Sequence, residues 1–207
     1  MLMRNFKTEA IVLSYRNFSE ADRFLDIFTK EHGKLSVLAK GVRRVPSRRA
    51  PHLEPFTCSS IFLHETSSGN LIVSQAETVE AFENLRTDIR KIGLAFYAVE
   101  LVSKLTKDNQ EHADVFDRLL LFLSNLNARD LPPSTSKVET SPPSRCGIAS
   151  QGLDYEAIIN DFQQDILKYL GFGPQKLAHE KELRYYIEEL LEGRLKTPEF
   201  LDKISSR

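Results

Sequence analysis

The stretch "AIVLSYRNFSEADRFLDIFTKEHGKLSVLA", residues 10–39, determines how the amino-terminal part of the chain can fold. Its apolar residues come in short runs rich in β-branched and aromatic side chains, separated by polar turn residues, which is typical of β-strands. Gly33 can supply the positive φ angle of a tight hairpin turn. In the last run, Leu35, Val37 and Ala39 would share one face of a strand. The stretch therefore predicts three consecutive strands.

Two further runs of the same kind follow, "SSIFLH" at 59–64 and "NLIVSQ" at 70–75. Between them, "TSSGNL" repeats the turn pattern around Gly69. Roughly five short strands in residues 1–80 predict a small barrel or a sandwich.

After Thr78 the spacing of apolar residues changes to steps of three and four, which predicts helices. Asn109 can cap the second helix and Asp154 the third, which would end at Gly171. The predicted fold class is α+β, with a β unit at 1–80 and an all-α helical domain at 81–207. The apolar stripe of the first predicted helix consists of Phe82, Leu85, Ile89, Ile92, Phe96, Val99, Val102 and Leu105.

Composition narrows the class of protein. The chain is 41% hydrophobic and 28% charged, a composition that is ordinary for a globular protein. Its formal net charge of −1 excludes a protein that is basic throughout. No apolar run approaches the roughly 18 residues of a membrane span, and the start does not resemble a signal peptide. We expect a cytoplasmic protein with no membrane association. Residues 128–152, rich in proline and serine, predict a flexible loop.

Motifs for catalysis or metal binding are not found in the sequence. The nine glycines form no phosphate-binding loop, and the histidines lack the spacing of a zinc helix. Cys58 and Cys146 are far apart and form no C-x-x-C pair. We therefore expect no enzyme, no cofactor and no metal site.

A second stretch concentrates positive charge. "AKGVRRVPSRRAPHLEPF", residues 39–56, which we call the basic loop, carries five basic residues within ten positions. Such charge can neutralise phosphates and release counterions without reading sequence, and the prolines would keep the loop extended. The alternative is a solvated loop without a function, but so long an irregular connection between strands favours a function.

A small five-stranded barrel followed by helices resembles the OB-fold, which binds oligonucleotides on strands 2 and 3 and adjoining loops. Single strands also need exposed rings on which bases can stack. Two rings in the first loop and one after the basic loop are the best candidates. The predicted DNA-binding residues are Lys34, Lys40, Arg43, Arg44, Arg48, Arg49, Tyr15, Phe18 and Phe56.

The ordered combination of "TKEHGK", "AKGVRR" and "LEPF" within residues 9–56 resembles the RecO family of bacterial recombination mediators. "LRTDIRKIGLAFYAVELV" at 85–102 is similar to the first helix of that family's helical domain. "FQQDILKYLGFGP" at 162–174 and "LKTPEFL" at 195–201 are similar to its later segments.

The resemblance implies an amino-terminal OB-fold and a non-enzymatic DNA repair and recombination protein of the RecF pathway. Such a protein binds single- and double-stranded DNA, anneals complementary strands and binds the acidic tail of the single-stranded DNA-binding protein SSB in its helical domain. With RecR it loads RecA on SSB-coated DNA, and it is functionally linked to RecF. Many members carry two C-x-x-C pairs after "LGFGP", whereas here "QKLAHEKELRYY" follows, so we expect no zinc module.

Two other functions are compatible with the residues. The chain could be an adaptor whose basic loop binds an acidic protein tail without contacting DNA. It could also be an OB-fold protein that acts on RNA, which differs from DNA along the backbone by its 2′-hydroxyl groups.

Overall fold

The computed structural model describes residues 5–45, 47–128, 155–173 and 180–197. Its amino-terminal part is a closed barrel with the strand order β1-β2-β3-β5-β4. The β3–β5 pair is parallel, and the other pairs are antiparallel. This is a five-stranded OB-fold-like barrel followed by helices, which confirms the predicted α+β class. The strands are β1 Asn5–Phe18, β2 Asp22–Thr29, β3 Gly33–Ala39, β4 Cys58–Glu65 and β5 Leu71–Glu80.

Both predicted hairpin glycines have left-handed backbones, with φ of 67° at Gly33 and 82° at Gly69. Gly33 has a second constraint, because a Cβ atom added there would lie 1.8 Å from the carbonyl oxygen of Gln110. Around Gly69 a Cβ atom would meet nothing within 4 Å. The β2–β3 turn is therefore pressed against the segment between the first two helices.

The described residues contain four α-helices, α1 Ile89–Leu105, α2 Ala113–Ala128, α3 Tyr155–Tyr169 and α4 Glu180–Leu190. The predicted start of the first helix at Phe82 is wrong, because Phe82 has a left-handed φ of 49° and leads into a 3₁₀ turn, Glu83–Thr87. The helix begins at Ile89, where Asp88 Oδ1 accepts a capping hydrogen bond from the backbone N–H of Arg90 at 2.8 Å.

The predicted cap at Asn109 is also wrong. Asn109 has a φ of 59° and donates its backbone N–H to the carbonyl oxygen of Lys34 at 2.9 Å, and α2 begins four residues later at Ala113. The predicted end of the third helix is confirmed. Gly171, at φ 84°, and Phe172 donate to the carbonyls of Lys168 and Leu167, as in a Schellman motif.

Some expectations fall outside the described residues. These are the cap at Asp154, the predicted flexible loop apart from Ala128, and Cys146. The division of the chain into domains at residue 80 stays a prediction.

Two apolar clusters organise the described part of the molecule. The first fills the barrel with alternate residues of the strands, such as Val12, Leu25 and Ile27. The second joins the outer surface of the barrel to the helices, and in it Phe28 of β2 stacks on Phe116 of α2 with ring centres 6.4 Å apart. Leu13 points to the opposite side of β1 from Val12 and belongs to this second cluster, and the register of β1 against β2 shifts between Val12 and Ser14. The barrel and the helices therefore share a core.

Within the described ranges, no helix has the length and apolar character needed to cross a membrane.

Candidate nucleic-acid interface

The first part of the basic loop is anchored to the turn between β1 and β2. The backbone N–H of Gly41 donates to Asp22 Oδ1 at 2.7 Å, and that of Arg43 donates to the carbonyl oxygen of Ala21 at 3.0 Å. Val42, between them, is buried in the barrel cluster. These contacts hold the neighbouring charges at one end of the barrel.

The second part of the loop is compact, so the expectation that its prolines keep it extended is wrong. Pro51 lies in the first turn of a 3₁₀ helix, Ala50–Leu53, where its fixed φ is favourable. Leu53 is fully buried in the barrel cluster. Burial of this side chain offsets the cost of folding the loop back on the barrel.

Four of the predicted cations are exposed: Lys40, Arg43, Arg44 and Arg48. Within the described ranges, none of the four forms a salt bridge. The guanidinium of Arg43 donates to the carbonyl oxygen of Ser19 at 3.0 Å, which keeps this arginine beside the β1–β2 turn. Their charges are therefore available to an anionic ligand.

Arg49 lies apart from this exposed group. Its Nη1 donates to the carbonyl oxygen of Val73 at 2.7 Å, and its Nη2 donates to that of Lys40 at 2.6 Å. The side chain thus closes the basic loop over β5. Its DNA-binding role stays a prediction, and two of its donor groups are occupied by the protein backbone.

Lys34 is likewise not on an exposed rim, since its side chain is only 19% exposed. Its ammonium group donates to the carbonyl oxygens of Ser103 and Thr106, at 2.7 and 3.0 Å, and pairs with Asp108 at 3.2 Å. The carbonyl groups at the end of a helix attract a cation. Lys34 therefore fastens β3 to the end of α1.

The expected exposure of Phe56 is wrong. Its side chain is 5% exposed and packs edge-on against Phe96 of α1, with ring centres 4.8 Å apart. Its backbone has a φ of 68°, and its N–H donates to the carbonyl oxygen of Val12 at 2.9 Å. The ring belongs to the core between the barrel and the helices.

The expected exposure of Tyr15 and Phe18 is confirmed, at 39% and 49%, but their expected place in a loop is wrong, because both lie in strand β1. Phe18 packs edge-on against Phe24 at 4.8 Å between ring centres. The guanidinium of Arg16 lies 5.1 Å from the centre of the Phe24 ring, and that of Arg23 lies 4.0 Å from the centre of the Tyr15 ring. Two ring–guanidinium contacts therefore lie at the end of the β1–β2 hairpin, on opposite faces of it, because Tyr15 and Arg16 are successive residues of β1.

Sequence reasoning missed Arg16 and Arg23, and it did not select Phe24 from among the candidate rings. Arg16 and Phe24 are cross-strand partners in the β1–β2 register, and Arg23 is tied to Glu54 of the basic loop by a salt bridge of 3.0 Å. These contacts depend on strand pairing and barrel closure, and the sequence pattern carries no local signal for them. We use the name cationic face for Arg16, Lys40, Arg43, Arg44 and Arg48.

Two protein-family models match the chain. The model described as "Recombination protein O N terminal" matches residues 3–82, and "Recombination protein O C terminal" matches residues 86–136. The chain belongs to the RecO family. This confirms the resemblance of its sequence motifs.

Individual members of the RecO family align at moderate identity. DNA repair protein RecO of Myxococcus xanthus is 34% identical over 133 residues, which cover 64% of this chain and 54% of that protein. The Shouchella clausii protein of that name is 41% identical over 121 residues, covering 58% and 47%. That of Alkaliphilus metalliredigens is 32% identical over 168 residues, covering 81% and 59%. The chain spans about half the length of the curated relatives it matches.

The chemistry of this RecO-family chain offers few reactive groups. Across the described residues, no three histidine, cysteine, aspartate or glutamate side chains are placed to hold a metal ion. Cys58 is buried, and its burial, with the nearby Glu9 and Glu80, raises the pKa of the thiol to about 12. A thiol in this state is neither a nucleophile nor a metal ligand at neutral pH. The absence of metal and of catalysis stays a prediction.

Proposed function

We propose that the protein is a non-enzymatic, DNA-binding mediator of repair and homologous recombination in the RecF pathway. The observation that carries this proposal is the cationic face. On its loop, Lys40, Arg43, Arg44 and Arg48 are exposed and form no salt bridge with other described residues. They lie at the end of an OB-fold-like barrel, beside exposed rings. The relatives described above carry the name DNA repair protein.

The physical basis of the binding would be neutralisation of phosphates. Lysine and arginine contacts to phosphates release counterions, which gives affinity for both single- and double-stranded DNA without sequence preference. The rings of Tyr15 and Phe18 would add stacking that only unpaired bases can use. Neutralised phosphates also repel one another less, which would favour the annealing of complementary strands.

The proposed partners follow from membership of the family. They are the acidic tail of SSB, received by the helical part of the chain, and RecR, with which the protein would load RecA on SSB-coated single strands, in functional connection with RecF. The proposed location is the cytoplasm.

The test is a fluorescence anisotropy titration of labelled single-stranded and duplex DNA, with and without SSB, over a series of salt concentrations. We expect binding of both, little dependence on sequence, and an affinity that falls linearly with salt on logarithmic axes. Binding of SSB-tail peptide without retention on DNA at low salt would instead indicate an adaptor. A clear preference for RNA of the same sequence would indicate an RNA-binding protein.

A further inference from the structure

A groove of about 470 Å³ runs between the end of the barrel and α1. Tyr15 and Pro55 line it on the barrel side, and Phe96, Val99 and Ser103 line it on α1. Phe96 is 44% exposed although it lies between the two halves of the molecule. The groove therefore presents two accessible rings, one from the barrel and one from the helix.

The polar groups of the groove are of two kinds. Glu100 is fully engaged, because it accepts hydrogen bonds from the backbone N–H groups of Lys196 and Thr197 and from the Thr197 hydroxyl, and pairs with Lys104. In contrast, the hydroxyl of Tyr15 makes no hydrogen bond with any other described residue, and the side chain of Lys196 is exposed at the rim. Donors for a polar ligand are thus present beside the rings.

Tyr15 connects the groove to the cationic face. Arg16 of the cationic face and Phe18 follow it on the same strand, at about 3.3 Å per residue, so the backbone of Tyr15 lies roughly 10 Å from that of Phe18. The guanidinium of Arg23, 4.0 Å from the centre of the Tyr15 ring, is already paired with Glu54, whereas the exposed ammonium group of Lys196 forms no salt bridge with other described residues. A nucleic-acid backbone that passed the groove would therefore meet an ammonium group that has no salt-bridge partner among the described residues.

We propose that the groove accepts an unpaired nucleobase, turned out of a single strand whose phosphates lie on the cationic face. A base has two flat apolar sides and a polar edge, which match the rings of Tyr15 and Phe96 and the free hydroxyl and ammonium donors. This inference rests on the proposed DNA binding. It adds a site that duplex DNA cannot fill, since its bases are paired and stacked.

An acidic peptide is the other ligand that an apolar groove with lysines at its rim could receive. The carboxylate of Glu100 argues against it, because its hydrogen bonds hold it ionised inside the groove. Its pairing with Lys104 also leaves one rim lysine fewer for the carboxylates of an acidic peptide, whereas a neutral base needs no such counter-charge.

The chain contains no tryptophan, so Phe96→Trp places a single fluorescent reporter in the groove. We expect a single-stranded oligonucleotide to quench this tryptophan by stacking, while an abasic oligonucleotide of equal length and a duplex do not. Leu121→Trp, at a 53% exposed position on α2 that does not line the groove, is the matched control and should not respond. Anisotropy of the labelled DNA, recorded in the same titration, reports binding independently.

DNA binding without quenching, or equal quenching by the abasic strand, would overturn the groove inference and leave the proposed function standing. Quenching by an acidic peptide ending in phenylalanine, with none by single-stranded DNA, would overturn it in favour of a peptide site. No binding of any oligonucleotide would remove the proposed function and this inference with it.

A second variant keeps the test independent of the reporter. Phe96→Leu should weaken binding of single strands by roughly 5- to 100-fold, the range of one lost aromatic stack, and leave duplex binding within about twofold. Leu121→Ala should change neither. Equal weakening for both kinds of DNA would show a structural role for Phe96 and contradict the inference.

Discussion

The guanidinium of Arg49 donates to the carbonyl oxygen of Val73 at 2.7 Å, across the space between the basic loop and β5. This hydrogen bond distinguishes Arg49 from the other arginines of the basic loop. Arg49 holds the loop in place, whereas Arg43, Arg44 and Arg48 are exposed on its surface. Neighbours in sequence with the same charge therefore have different tasks.

Arg49→Ala should destabilise the protein, because the carbonyl oxygens of Val73 and Lys40 would lose a charged donor. We expect a loss of about 2 kcal/mol in the free energy of unfolding, measured by urea denaturation. Arg44→Ala, which removes an exposed side chain of the same type, should cost less than about 0.5 kcal/mol. Equal losses in the two variants would contradict the structural role of Arg49.

Replacement of Arg43, Arg44 and Arg48 by glutamine should weaken DNA binding for all sequences alike. If each contacts one phosphate, the slope of log affinity against log salt should flatten by about 2 to 3 units. The control replaces three exposed lysines elsewhere, Lys7, Lys107 and Lys168, by glutamine, which changes the net charge equally. A slope that responds to both triple variants in the same way would point to overall charge and not to the cationic face.

Gly33→Ala should be far more costly than Gly69→Ala. Both glycines have positive φ angles, so both replacements carry the left-handed penalty of about 1 to 2 kcal/mol. Only at Gly33 would the new Cβ atom overlap backbone, at 1.8 Å from the Gln110 carbonyl oxygen. We expect at least about 2 kcal/mol of additional destabilisation there, seen as a lower melting temperature. Similar melting temperatures would contradict the close approach of the two segments.

Glu100 should make stability depend on pH in the acid range. Burial alone would raise its pKa, but hydrogen bonds from Lys196 and Thr197, with Lys104, outweigh burial and lower the pKa below its ordinary value of 4.5. A lowered folded-state pKa means that the stabilisation is present above the unfolded-state pKa and is lost as pH falls through the folded-state value.

We therefore expect Glu100→Gln to be less stable than the parent near neutral pH, and to lose less stability between about pH 6 and pH 3. Denaturant titrations at a series of pH values would measure both effects. The control is Glu189→Gln, because the exposed carboxylate of Glu189 accepts no hydrogen bond from other described residues. Parallel pH profiles for the parent and Glu100→Gln would exclude the predicted linkage.

Local pattern was sufficient for the strands and their turns. The alternation of Leu35, Val37 and Ala39 has the two-residue period of a β-strand. The glycines at 33 and 69 supply the positive φ angles of the turns, and few other structures satisfy both conditions. The helical period was less reliable. Phe82 and Leu85 continue the spacing of α1, yet a left-handed residue and a 3₁₀ turn place them before the helix.

The candidate site was predictable as a region and not residue by residue. Exposure of Tyr15 and Phe18 follows from their polar neighbours in sequence. The roles of Lys34, Arg49 and Phe56 depend on partners far along the chain, such as Ser103, Val73 and Phe96, which no local pattern reveals.

The cluster that joins Phe28 of the barrel to Phe116 of α2 has a mechanical consequence. Close-packed interiors transmit displacement with little compression, so the two halves should move as one piece. A nucleic acid bound at the barrel and a protein bound by the helices would then be held at a fixed separation, because the connection between the two halves is rigid and not flexible. This separation would depend on the size of the packed rings. Truncation of the Phe116 side chain would make the joint between the two halves more flexible without altering either binding surface.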